Sequence, residues 1–74
     1  MMKIEKIYPK ISARILAARI SSGMTQWELS RKVKMSRPSI ANIEVGRQRI
    51  MLHDIFKFSK ALKKNPKYFL QDIV

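Results

Sequence analysis

The sequence predicts an all-α fold, a compact bundle of about five short helices. Three observations predict it. Apolar residues recur at three- and four-residue intervals along most of the chain, the spacing that builds one face of a helix. Only 2 Gly and 3 Pro occur among 74 residues, which disfavours turn-rich β structure. Helix-start signals recur, at Thr25, Ser36 and Asn65, each just ahead of an apolar-periodic stretch.

Residues Met1–Tyr8 read as an N-terminal arm, followed by one domain over residues 9–74. Pro9 suits the first turn of a helix, where its missing N–H is not needed. The first helix is then Lys10–Ser22, with Ile11, Ile15, Leu16 and Ile20 inward and Gly23 as its stop. Thr25 with Glu28 three residues on is a capping box for the second helix, and Met24 and Leu29 sit at staple spacing around it. Leu29 and Val33 form its apolar face. Ser36 caps a third helix, Arg37–Val45, with Pro38 tolerated in the first turn, Ile40 and Ile43 inward, and Gly46 at the end. Leu52, Ile55, Phe56, Ser59 and Leu62 are predicted as the inner stripe of a fourth helix. Asn65-Pro66 opens a brief fifth one containing Tyr68, Phe69 and Leu70.

Composition excludes several kinds of protein. With 16 Lys+Arg against 5 Asp+Glu the formal net charge is +11, an excess that points to a polyanionic partner. No cysteine is present and His53 is the sole histidine, so neither a disulfide framework nor a zinc site is expected. His53 has Asp54 beside it but no spaced nucleophile, so no catalytic arrangement and no cofactor are expected. The longest apolar run, Ile15–Ala18, is too short to span a bilayer. Glu5, Lys6 and Pro9 interrupt any signal-peptide core, so the expected location is the cytoplasm, in association with the nucleoid.

Two short capped helices separated by about three residues make a helix-turn-helix unit over residues 25–46. Gly23-Met24-Thr25-Gln26-x-Glu28-Leu29, then Val33-Lys34-Met35-Ser36, then Ile40-x-x-Ile43-Glu44-x-Gly46-Arg47, resembles the Cro/phage-repressor (XRE-like) helix-turn-helix family. The resemblance covers roughly residues 11–70 and implies a lambda repressor-like domain whose third helix lies in the major groove of DNA. It implies base contacts from Arg37, Pro38 and Asn42. It implies sugar-phosphate contacts from Gln26, Ser39, Arg47 and Arg49, with Ser36 a further candidate that is first of all a cap. Arg19 and Glu44 match a pair that ties helix one to helix three. The side-chain chemistry agrees: an arginine fork pairs with guanine O6 and N7, and an asparagine amide with adenine N6 and N7.

The sequence departs from the family at four places. Lys34 stands where glycine is usual, and a left-handed backbone there would cost on the order of 1 kcal/mol. Ser30 replaces a small apolar residue, Met51 replaces a Ser, Thr or Asp cap, and Pro38 replaces a polar base reader. Trp27 is expected to pack on a neighbouring helix rather than on a sugar edge. Lys57, Lys60, Lys63, Lys64 and Lys67 are expected to form a solvated face.

The function these features imply is a sequence-specific double-stranded DNA-binding transcriptional regulator, a repressor on a palindromic operator. It is expected to act as a homodimer through Tyr68–Val74, without a small-molecule ligand or a membrane. An antitoxin or restriction-modification controller that regulates its own promoter would look the same. From a different class comes a protein-interaction adaptor that uses the fold without reading DNA.

Overall fold

Side-chain caps fix where most of the helices begin. Thr25 Oγ1 accepts the Glu28 N–H at 3.0 Å and Glu28 Oε1 accepts the Thr25 N–H at 2.9 Å, a complete reciprocal box. The two Thr25 contacts hold the Glu28 carboxyl below its ordinary value. This cap is therefore at full strength above the usual carboxylate range and is lost only as pH falls through the lowered value. Ser36 Oγ accepts from Ser39 N–H at 3.2 Å, and Asn65 Oδ1 from Lys67 N–H at 2.9 Å. Met51 offers no acceptor, and Asp54 supplies half a cap from inside the helix by accepting the Met51 N–H at 3.3 Å.

A computed structural model describes residues 3–73. Among these the fold is all-α, with helices α1 Ile4–Ser21, α2 Gln26–Val33, α3 Arg37–Glu44, α4 Leu52–Leu62 and α5 Pro66–Leu70. The α1 helix packs on α3, α4 and α5; α2 lies between α3 and α4. The shared core joins Ile11, Ile15 and Ala18 of α1 to Leu29 and Val33 of α2 and Ile40 and Ile43 of α3. Ile55, Phe58 and Leu62 of α4 complete it with Ile50, Phe69 and Ile73. No helix of the described residues is long and apolar enough to cross a membrane.

Three expectations are corrected here. The stretch read as an arm is helical from Ile4, so Pro9 lies inside α1 instead of opening it. Pro9 is exposed, as is Glu5, whose carbonyl its absent N–H would have served, while Ile7 and Tyr8 pack on the core and offset the lost bond. Met1 and Met2 lie outside the described residues. In α1, Ala18 faces the core and Ile20 is 62% exposed, because the inward row is Ile11, Ile15, Ala18 at i, i+4, i+7. In α4 the inward row is Ile55, Phe58, Ser59 and Leu62. Leu52 and Phe56 are 68% and 57% exposed, since α4 turns its Phe58 side toward α1, α2 and α5. Two buried serines in the bundle are satisfied locally: Ser30 Oγ donates to Trp27 O at 2.7 Å and Ser59 Oγ to Ile55 O at 2.8 Å.

The chain end is tied down by Arg14, whose Nη1 donates to Phe69 O at 3.2 Å and to Gln71 O, with Asp72 at 3.8 Å. Of the segment offered as a dimer face, Phe69 and Ile73 are therefore buried in the protomer's own core, and Val74 lies outside the described residues.

Lys34 adopts the left-handed conformation, φ 57°, at the end of α2, and the Met35 N–H reaches back to Ser30 O at 3.0 Å to close the turn. Lys63 repeats the arrangement after α4 with φ 55°. Lys34→Gly should therefore raise stability by about 1 kcal/mol, whereas Lys34→Ala should not. Urea denaturation of the two variants beside the parent checks this.

Candidate nucleic-acid interface

The α3 helix has two unlike sides. Ile40, Ile43 and Glu44 are buried against the bundle. Advancing about 100° per residue, Pro38, Ala41, Asn42 and Val45 fall together on the opposite side. Pro38 and Val45 are exposed and Ala41 and Asn42 half-buried, so this side is open along its length. Arg37 sits at its N-terminal edge, exposed. The recognition positions were read in sequence as Arg37, Pro38 and Asn42; Ala41 and Val45 were missed as members of the same face. Val45 lies seven residues after Pro38, and that spacing was available as a signal. Both add apolar surface of the kind that meets a thymine methyl.

A polar chain runs from α1 through the interior to this face. Arg19 Nε donates to Glu44 Oε2 at 2.6 Å and Arg19 Nη2 to Glu44 Oε1 at 3.2 Å. Arg19 Nη1 also donates to Met24 O at 2.8 Å, which fixes the turn ahead of α2. The Glu44 carboxylate accepts a third bond, at Oε1, from Gln26 Nε2 at 2.9 Å. Gln26 Oε1 in turn accepts from Arg37 Nη1 at 3.0 Å. The Glu44 side chain is 2% exposed and that of Arg19 14%, so the pair is desolvated and held by four directional bonds. Gln26, read as a backbone contact, thus also orients Arg37. Its spacing from Glu44 and Arg37 in sequence carries no helical relation, so that link was not legible there.

Asn42 Oδ1 and Nδ2 make no bond within the described residues, while its main-chain carbonyl accepts Arg47 N–H at 2.8 Å and Gln48 N–H at 3.2 Å. The loop carrying Arg47 and Arg49 is therefore fastened to the end of α3. Arg47 is exposed, and the exposed Arg49 lies over the Tyr8 ring at 5.1 Å. Ser36 Oγ accepts the Ser39 N–H and donates to Ser39 Oγ at 3.0 Å, so Ser36 is spent as a cap and Ser39 keeps its own hydroxyl hydrogen. Trp27 does not pack on a neighbouring helix: it is 55% exposed, and Arg31 one turn on covers its ring at 4.7 Å.

These elements define a helix-turn-helix protein whose second helix of the motif keeps an open outer side with Arg37 at its edge. A family model described as helix-turn-helix matches residues 15–69, and the chain belongs to that family. Among solved structures it is similar to the restriction-modification controller protein C.AhdI from Aeromonas hydrophila, with 23% identity, a TM-score of 0.79, and coverage of 88% of this chain and 97% of that one. It is similar to the clp gene regulator ClgR from C. glutamicum at 20% identity and TM-score 0.82, over 86% of this chain and 83% of that one. A third is the restriction-modification controller C.Esp1396I, solved as a tetramer on its natural 35 base-pair operator: 26% identity, TM-score 0.79, 88% and 86% covered. No curated protein sequence matches.

Removing either member of the buried pair leaves the other charge unpaired. Arg19→Ala and Glu44→Ala should each cost about 3–5 kcal/mol, and Arg19→Met with Glu44→Leu together should cost less than either single change. Chemical denaturation of the parent and these variants measures the three costs.

Proposed function

We propose that this chain is a sequence-specific, double-stranded DNA-binding transcriptional regulator, a repressor that binds a palindromic operator as a homodimer. The observation that carries the reading is the free outer side of α3. Arg37 and Asn42 present planar hydrogen-bonding groups there, beside the apolar surfaces of Pro38, Ala41 and Val45. A helix of this width enters the major groove, and each bidentate base contact discriminates by about 1–3 kcal/mol. Arg47, Arg49, Ser39 and the N-terminal N–H groups of α2 beside Gln26 flank it as phosphate contacts, which supply affinity without sequence information. The reading is of a binding protein rather than an enzyme, working in the cytosol at the nucleoid.

One chain carries one such helix and spans 33 Å at its longest, while half-sites lie ~34 Å apart, so two copies are needed. The second copy docks on the start of α4. Met51, Leu52 and Phe56 are 63%, 68% and 57% exposed, and Leu52 and Phe56 stand one turn apart on one side. This face follows directly on the loop bearing Arg47 and Arg49. A second reading within the class, an autoregulating restriction-modification controller, is favoured by the likeness to C.Esp1396I, an operator-bound protein at 26% identity.

Selecting bound duplexes from a random pool should return a symmetric site. Against that site, Arg37→Ala should relax preference at one base position in each half, whereas Arg47→Ala should weaken all sequences alike and flatten the salt dependence by about one phosphate's worth. Equal scaling by both changes would remove the base-reading role. Phe56→Glu should convert the dimer to monomer in sedimentation with the fold intact by circular dichroism; unchanged association would place the interface elsewhere.

A further inference from the structure

A second cationic surface lies away from α3. Lys32 of α2, Lys57 and Lys60 of α4, and Lys63 just after α4 line a groove of about 350 Å³ with Ala61. Lys32 comes six residues after Gln26, which puts it about 120° round α2 from the side chain that holds Arg37. The groove therefore opens on the α4 flank of α2, and α3 lies on another side of that helix. Four ammonium groups sharing one groove repel one another. Two carboxylates lie nearby among the described residues and offset part of this charge, Asp54 as the ion-pair partner of Lys57 at 3.9 Å and Glu28 one turn before Lys32, which leaves the groove with a net positive charge.

We propose that this groove binds the phosphate backbone of a second segment of duplex DNA, so that one protomer holds two duplexes at once. The lining chooses the partner. All four cations are lysines, compact charges on flexible stems that suit phosphates without fixing a register. No buried donor or rigid fork is present to hold a small anion, and Ala61 alone offers no anchor for an acidic peptide, which would need a buried apolar or aromatic hot spot. Lys57 and Lys60 stand at i, i+3, about 4.5 Å apart along the α4 axis, with Lys63 at the helix end just beyond, and their side chains can splay onto successive phosphates. The lysines at this end of α4, read in sequence as a solvated face, thereby acquire a ligand. The assignment is independent of base reading by α3.

The test uses the full chain with its α3 side disabled by Arg37→Glu, Arg47→Glu and Arg49→Glu, folded by circular dichroism. Fluorescence anisotropy with a labelled 20-base-pair duplex of random sequence should still show binding at 50 mM salt. Its log–log salt slope should be near −3.6, for about four phosphates, which is a loss of roughly 10²-fold between 50 and 200 mM. Adding Lys32→Gln, Lys57→Gln, Lys60→Gln and Lys63→Gln should abolish it. The four glutamine changes alone should leave the preferred site returned by pool selection unchanged, which keeps this result separate from that of the α3 reading. No binding by the α3-disabled chain at 50 mM salt, or binding that survives the four glutamines, would each overturn the proposal.

Discussion

The buried ion pair between Arg19 and Glu44 is the constraint on which the outer side of α3 depends. A carboxylate that is 2% exposed has lost its water and must be repaid in full by protein donors. Three side-chain bonds converge on it, two from Arg19 and one from Gln26. Those bonds join α1, the start of α2 and the end of α3 through one acceptor. Because Gln26 is held from behind, its carbonyl is presented forward to Arg37, and the guanidinium at the edge of α3 is set in place before any ligand arrives. Preorganisation of this kind lowers the ordering cost of binding.

Charge is the second theme, and in two places it is kept at the expense of backbone comfort. Lys34 and Lys63 occupy left-handed positions that glycine would fill without strain. Each instead places a positive charge at the C-terminal end of a helix, where the macrodipole favours it. Elsewhere the cations are held by aromatic rings: Arg31 by Trp27, Arg49 by Tyr8 and Lys64 by Tyr68. The excess of +11 is thus spread over more than one side of a small bundle.

Much of this architecture was legible in the residues because its signals are local. Thr25 with Glu28, Ser36 with Pro38, and Asn65 with Pro66 each state a helix start within four residues, and each start is where the sequence put it. What was not legible depended on neighbours distant in sequence. Leu52 and Phe56 satisfy helical spacing as well as Phe58 does, and only the placement of α4 among α1, α2 and α5 decides which side is inner. Pro9 carried the signature of a helix start, yet packing of Ile7 and Tyr8 extends α1 through it. Around the outer side of α3 the individual residues Arg37, Asn42 and Gln26 could be picked out. Their mutual support could not, since it runs through a glutamate eighteen positions from Gln26.

The outer side of α3 is the surface proposed to meet the duplex. Nuclear magnetic resonance of the ¹⁵N-labelled protein, titrated with one equivalent of its selected duplex, reads that contact residue by residue. The largest changes should fall on the Arg37 side-chain Nε–H, the Asn42 side-chain amide and the backbone amides of Ala41 and Val45, with the Arg19 Nε–H keeping its position. Changes centred on other helices, with those four groups undisturbed at saturation, would contradict it.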